Sequence, residues 1–522
     1  MDWEQLRRLA ENYAEAPANF RLVMEDSIPK ENAMYRVFVW ENPENREETI
    51  EVELDLHSKE LLRLQMYKQA EPSSLNSPSI ESAEVRAQEM LERYLLEPNR
   101  YMLNELKYAE DKVKVDYRLQ IGGLPLPHTG CELILTRDLE LVRFRFEGNK
   151  DIPELLPHWP LKVIEPDIIR ANLLSSIDME LSLRYFYPTL YDYQGSDSEF
   201  RLVYTAVPER QFICADTGAD LFDEDHFRFP RSEPMIQARE DFLFNAEPHC
   251  ESVSDSIDSV LKKWEERLGI DLSYFERDEV KEEEGEIRCL YTLRNQSRER
   301  YQDLSHESYP FQADAYLKHK WGNILDRMFY SCKLSMDAGT GSLLSFQAFD
   351  KEEDTESIQE TLSRSGCREI AEQFLADVFP NYGAYLHREV DNDFVVGERR
   401  KKEFFFFPLF ISGIPVSHEQ VTVVVNTRNG RINGYRGLSP HLISELMSLE
   451  HQPKLSAEEA FQRYRQQMDV QLKWFLHTVP SGKKEYKLVY ENVVKYMRES
   501  EILQARSVFI DASTGEWIYR KE

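Results

Sequence analysis

The sequence predicts an α+β fold made of tandem duplicated repeats, each a helix packed on a small antiparallel sheet, with three such units in each half of the chain. Three observations predict it. The stretch Ile121 to Gly130, IGGLPLPHTG, is written again as Ile411 to Gln420, ISGIPVSHEQ. Six short turns rich in Asp, Asn, Ser, Thr and Gly separate pairs of apolar runs, and amphipathic helical stripes precede those runs. Helix followed by antiparallel strands is a layered arrangement, because the strands need the helix to cover their apolar face.

Unit 1 takes residues 1–70 and carries the turn Asp55 to Glu60. Unit 2, residues 79–150, opens on a stripe of Ala87, Met90, Leu91, Tyr94 and Leu95 after Ser82. It then runs through the first near-copy into ELILTRDLELVRFRF, two β-runs around the turn Thr136 to Glu140. Unit 3, residues 164–225, has the turn Asp216 to Gly218. Residues 226–253 read as the linker between halves, charged and irregular with Pro230, Pro234 and Pro248.

Unit 4, residues 254–349, follows Ser254 with a stripe of Ile257, Val260, Leu261, Trp264 and Leu268 and has the turn Asp337 to Gly341. Unit 5, residues 363–438, has the stripe Ile370, Ala371, Phe374, Leu375 and Val378, the second near-copy, and the turn Asn426 to Gly430. Unit 6, residues 454–522, begins with a capping box, Ser456 to Glu459, followed by Phe461, Tyr464 and Met468, and has the turn Asp511 to Gly515. The turns pair first with fourth, second with fifth and third with sixth. Ile152 to Leu156, IPELL, likewise recurs as Ile443 to Met447, ISELM, so the duplicated object is a whole half-chain. Linkers at Glu71 to Ser79 and Asp350 to Glu360 agree with this division.

Composition narrows the function. With 522 residues, 41% hydrophobic and 12% aromatic, the chain exceeds one core and is not disordered. A net charge of −30 opposes phosphate backbones and anionic lipid surfaces, so no nucleic-acid partner is expected; the basic run Arg399 to Lys402 reads as a solvated strand end. The most apolar stretch, Phe404 to Val416, is short for a membrane span and is broken by Pro408, Gly413 and Pro415. No transmembrane segment or secretory signal is read, and the expectation is a cytoplasmic protein. Six cysteines without zinc-ligand spacing read as reduced thiols.

Two stretches carry a family resemblance. Ser507 to Ile518, SVFIDASTGEWI, resembles the closing signature of the PepSY domain. Ser412-Gly-Ile-Pro-Val416 with its following strands is similar to the YcdB/YcdC repeated-domain proteins of spore-forming Gram-positive bacteria. The first half departs from the pattern, with Leu139-Glu140 where the fifth turn has Asn429-Gly430. The resemblance implies PepSY-like units and a non-catalytic role, binding a protein or regulating a peptidase, with envelope association as in the family.

Several groups invite a chemical reading and each has a plainer one. Asp216-Thr-Gly-Ala resembles the aspartic-peptidase core, yet Asp216 aligns with Asp337 and Asp511 as a strand-ending turn and no second D-T-G loop exists. His128 and His418 hold the same place in the two near-copies, where a duplicated pair would meet if the halves faced each other. Asp223 to His226 lacks the glycine and terminal Glu of a calcium loop, and Gly339 to Ser342 lacks the lysine of a phosphate loop. No catalytic, cofactor-binding or metal-binding residue is therefore assigned. The expected function is binding of a protein or peptide partner, possible peptidase regulation included. The alternatives are a hydrolase with a site between the halves and a structural scaffold; oligomeric state is left open.

Overall fold

A computed structural model describes residues 3–30, 33–67, 78–109, 111–147, 156–195, 197–209, 211–222, 231–235, 257–283, 285–294, 332–348, 361–379, 382–390, 401–479, 481–498, 501–506 and 508–521. Strands dominate and the class is mixed α+β. After the helix Trp3–Ala14, the strands β1 (Arg21–Lys30), β2 (Ala33–Asn42), β3 (Asn45–Asp55) and β4 (Leu61–Tyr67) form an antiparallel meander. The helix Ile80–Tyr94 precedes β5 (Met102–Ala109), β6 (Lys112–Arg118), the short pair β7 (Gln120–Ile121) and β8 (Leu124–Pro125), then β9 (Cys131–Thr136) and β10 (Leu141–Phe146). Pairing of β4 with β10 joins both groups into one eight-stranded sheet, ordered β1-β2-β3-β4-β10-β9-β6-β5.

The helix Pro166–Ser176 leads to β11 (Asp178–Phe186), β12 (Tyr191–Asp192), β13 (Glu199–Val207), β14 (Phe212–Cys214) and β15 (Ser232–Pro234). The helix Ile257–Leu268 leads to β16 (Phe275–Glu283), β17 (Glu286–Leu293), β18 (Cys332–Asp337) and β19 (Leu343–Ala348). After the helix Arg364–Val378 come β20 (His387–Glu389), β21 (Lys402–Ile411), β22 (Ile414–Asn426) and β23 (Ile432–Arg436). The order β16-β17-β18-β19-β23-β22, with β21 beyond β22, repeats the order of the first sheet. Alternation sets its inner face: Phe405, Phe407, Leu409 and Ile411 are buried while Phe404 is 47% exposed.

The helix Ala457–Gln467 precedes β24 (Met468–Thr478), β25 (Lys484–Arg498), β26 (Glu501–Ala505), β27 (Val508–Asp511) and β28 (Trp517–Arg520). Here the two ends of the chain cross over. The hairpin β11–β13 is completed by β27–β28, through Val203 opposite Asp511, whereas the hairpin β24–β25 is completed by β14, through Ile213 opposite Tyr490. Each sheet thus begins in one half of the chain and is finished by the other. The parallel pairing of Leu183 with Val416 then welds β11 to β22. Most buried apolar residues form one contiguous cluster running from Leu6 to Ala512, and two smaller clusters stand apart, one around Phe186 and Phe509 and one around Val37.

Local chemistry fixes the helix starts. The Ser456 hydroxyl accepts from the Glu459 N–H and the Glu459 carboxylate accepts from the Ser456 N–H, the predicted capping box. The second helix is capped by Ser79 rather than Ser82, because Ser82 lies a turn inside and donates its N–H to the Ser79 hydroxyl. Met468 opens β24 instead of closing a helical stripe, though it is buried as the stripe requires. Of the expected linkers, Asp350 to Glu360 and most of residues 226–253 lie outside the described residues.

Candidate functional site

The six turns are structural. Asp55, Asp337 and Asp511 each accept backbone N–H groups two and three residues on, and Gly341 and Gly515 close their turns onto the Asp337 and Asp511 carbonyls at positive φ. Gly218 instead closes onto the Cys214 carbonyl. Cys214, not Asp216, therefore holds the position of Asp337 and Asp511, and the alignment read from the sequence is corrected by two residues. The reason is that Gly218 sets the frame of the turn, while Asp216 sits in its middle. Thr340 donates its hydroxyl to the Asp337 carboxylate, so Gly339 to Ser342 is a hairpin tip. Asp223 to His226 lies outside the described residues.

The near-copies form the same tight hairpin. Ile121 pairs with Leu124 across Gly122 and Gly123, and Ile411 with Ile414 across Ser412 and Gly413, all four central residues at positive φ. That is the turn geometry matching the right-handed twist of its strands. His128 and His418 both take left-handed backbone, φ 59° and 68°. No hydrogen bond or ring contact joins them among the described residues. The first hairpin docks on the opposite half, with Trp474 Nε1 donating to the Ile121 carbonyl at 3.1 Å and Tyr486 donating to the Pro127 carbonyl at 2.9 Å. His418 instead meets Arg184 of β11, Nε2 to Nη2 at 3.1 Å. Burial pushes the His418 imidazole below its ordinary pKa, with Arg184 adding to the shift and Glu209 opposing it.

The sheet edges differ in what they accept. At β20 an extended segment has been added: Ser232, Glu233 and Pro234 of β15 lie antiparallel to Glu389, Arg388 and His387. Backbone bonds from Met235 to Leu386 and from Val390 to Arg231 extend the pairing, and Arg388 Nε donates to the Glu233 carboxylate at 2.6 Å. His387 is itself held by stacking on Phe410, centroids 3.5 Å apart. In the first half β5 stands in the same place, after the second helix and before the strand that leads to the tight hairpin. Among the described residues nothing pairs with its outer edge. Met102 and Tyr108 are exposed along β5, and the Tyr108 hydroxyl donates to the Pro78 carbonyl just before the neighbouring helix. The edge at β16 is different in kind. Glu276, Asp278, Glu279, Glu282 and Glu283 line it, charges that discourage strand addition.

Among the described residues no group of three or more His, Cys, Asp or Glu side chains is placed to hold a metal ion. The five cysteines among the described residues are free thiols, and burial raises the Cys131 thiol well above its ordinary value. No helix of the described residues is long and apolar enough to cross a membrane.

A duplicated α+β sheet protein, with one edge occupied by its own chain and the matching edge unpaired among the described residues, is the class these features define. Residues 3–148 and 298–439 match the model of the YcdB, YcdC repeated domain, more than half of the chain. The protein belongs to the YcdB, YcdC repeated-domain family. It is 24% identical over 524 residues to the uncharacterized protein YcdB of Bacillus subtilis, covering 99% of this chain and 98% of that one. It is 23% identical over 507 residues to the uncharacterized protein YcdC of the same organism, covering 94% and 96%. The Bacillus megaterium YpeB C-terminal domain aligns over 42% of this chain and 95% of its own, at 13% identity and a TM-score of 0.29.

Proposed function

We propose that this is a non-catalytic binding protein whose β5 edge takes up an extended segment of a protein or peptide partner. The observation that supports it most is β15 on β20: the second copy of the sheet already holds a short extended segment on the strand equivalent to β5. Strand addition draws affinity from backbone hydrogen bonds and specificity from side chains along the edge, here Met102 and Asn104 on one face and, past the bulge between Leu103 and Glu105, Tyr108 on the other. We read the chain as six PepSY-like units, a reading supported by the recurring Asx-type turns and the helix that leads each group of strands. A peptidase, or a component of the spore or cell envelope, is the partner class that follows from the resemblance.

The test is affinity capture from cytosolic and envelope fractions with the full chain as bait, followed by hydrogen exchange on the complex. A saturable partner that protects amides of 102–109 and leaves 275–283 unchanged is the expected result. Capture of no partner, or protection confined to other surfaces, overturns the proposal.

A further inference from the structure

Among the described residues seven charged side chains are buried, and six of them are acids whose charge is met. Glu25 is held by Arg7 and Arg36, Asp116 by Arg118, Glu265 by Arg277, Glu491 by Lys473 and Arg506, and Asp511 by Arg201. Asp55 is held by backbone N–H groups. The seventh is Arg184, 6% exposed, and no carboxylate among the described residues lies within ion-pairing distance of it. Its contacts are the neutral acceptor His418 Nε2 and the ring of Phe509, 4.2 Å from the guanidinium carbon. Its Nε is buried without a hydrogen-bond partner.

Three hydroxyls share that condition. Ser182 Oγ, Thr205 Oγ1 and Ser417 Oγ are buried and unpartnered, in residues 2%, 3% and 7% exposed. Strand pairing puts them together. Ser182 and Arg184 are two apart on β11 and share a face. Thr205 lies opposite Glu180 on the neighbouring β13, hence on that face and diagonal to Ser182. Leu183 registers with Val416, so Ser417 falls beside Arg184 on that face too. Thus three adjacent strands, β13, β11 and β22, bring four unsatisfied buried polar atoms to one seam. Glu209 and Arg520 act on Arg184 from farther off, in opposite senses.

An unpaired buried cation costs several kcal/mol, and each unsatisfied hydroxyl adds to that. The chain neutralises buried charge everywhere else, and at Arg118 it does so with Asp116, Glu147 and the Thr129 carbonyl. We propose that this seam binds an oxyanion, a carboxylate or phosphate group, with Arg184 Nε and the hydroxyls of Ser182 and Ser417 as donors, Thr205 lying one step farther along the seam. The guanidinium edge suits either group, since its fork matches two oxygens of both. The ligand thereby ties β11 of one half to β22 of the other.

The experiment is thermal unfolding of the full chain, desalted into chloride buffer and titrated at constant ionic strength with inorganic phosphate and, separately, with acetate. The expected result is a saturable rise in Tm with at least one of them; phosphate alone marks a tetrahedral ligand, acetate alone a carboxylate. Arg184→Met removes the rise, and without added anion it unfolds at or above the wild-type temperature, because its unpaired charge is gone. Ser182→Ala and Ser417→Ala, which remove little volume, shift half-saturation to roughly tenfold higher anion for each donor lost, about 1.4 kcal/mol. No rise with either anion, or the same rise in Arg184→Met and both serine variants, overturns the proposal.

Discussion

Phe509→Ala tests whether the crossing of the two halves is the fold's main connection. Phe509 is 1% exposed on β27, with its ring 5.3 Å from that of Phe186 and 6.0 Å from Tyr191, and it packs in one cluster with Val203 and Ile518. Phe186 and Val203 come from the first half, Phe509 and Ile518 from the second. Truncating a buried Phe costs about 3–5 kcal/mol, against a total stability on the order of 5–15 kcal/mol. Two edge-to-face ring contacts place the loss in the upper part of that range. At about 1.4 kcal/mol per factor of ten, local opening of the sheet rises by roughly three to three and a half powers of ten. Hydrogen exchange read by mass spectrometry is the assay. Residues 178–207 should lose protection together with 508–520, although the substitution lies some 300 residues away in sequence. If only 508–520 exchanges faster, β27 and β28 are an appendage and the shared-sheet argument fails.

Three further outcomes are expected. Glu265 is buried, and although burial alone raises its pKa, bonds from Arg277 and Tyr291 outweigh that and hold the carboxyl below its usual value. A lowered folded pKa means stability present above the unfolded carboxyl pKa and lost as pH falls through the folded one; Glu265→Gln should remove that acid dependence and cost about 3 kcal/mol, the low end for a broken buried pair because Arg277 is still 26% exposed. Gly130→Ala brings a Cβ within 1.9 Å of the Tyr117 carbonyl at positive φ and should cost well over the roughly 1–2 kcal/mol of Gly413→Ala, where φ is positive but space is open, as urea unfolding will show. In a nuclear magnetic resonance titration of anion-free protein, His418 should titrate below the usual histidine range, and Arg184→Met should move it part of the way back, since burial persists when the neighbouring cation is gone.

What the sequence conveyed were features settled within a few residues. The Ser456 capping box and the Asp337 and Asp511 turns follow from side chains bonding backbone two or three positions away, and the paired tight hairpins from central residues, mostly glycine, at positive φ. The frame of the third turn was misread because Asp216-Thr-Gly218 stands out as a motif, while the residue that opens the turn, Cys214, has no such mark. The exchange of β14 and β27–β28 between halves had no local sign. Any apolar hairpin with the right alternation can complete either sheet, and register across the chain depends on packing rather than on neighbours. Arg184 did leave a trace. In Leu181-Ser-Leu-Arg-Tyr-Phe186 the polar residues alternate with leucines, which marks one face of a strand as polar before anything says that it is buried.

The crossing also sets a timetable. Val203 and Tyr204 of β13 wait for Asp511 and Ile510, which a ribosome adds some 300 residues later. At about 5–20 residues per second, that is roughly 15 to 60 s during which the first half exists with the outer edge of an apolar strand unpaired. The nascent chain is therefore a ready acceptor for any extended segment until its own last strands emerge, and slowing translation over residues 257–505 should lower the yield of folded protein without changing a single amino acid.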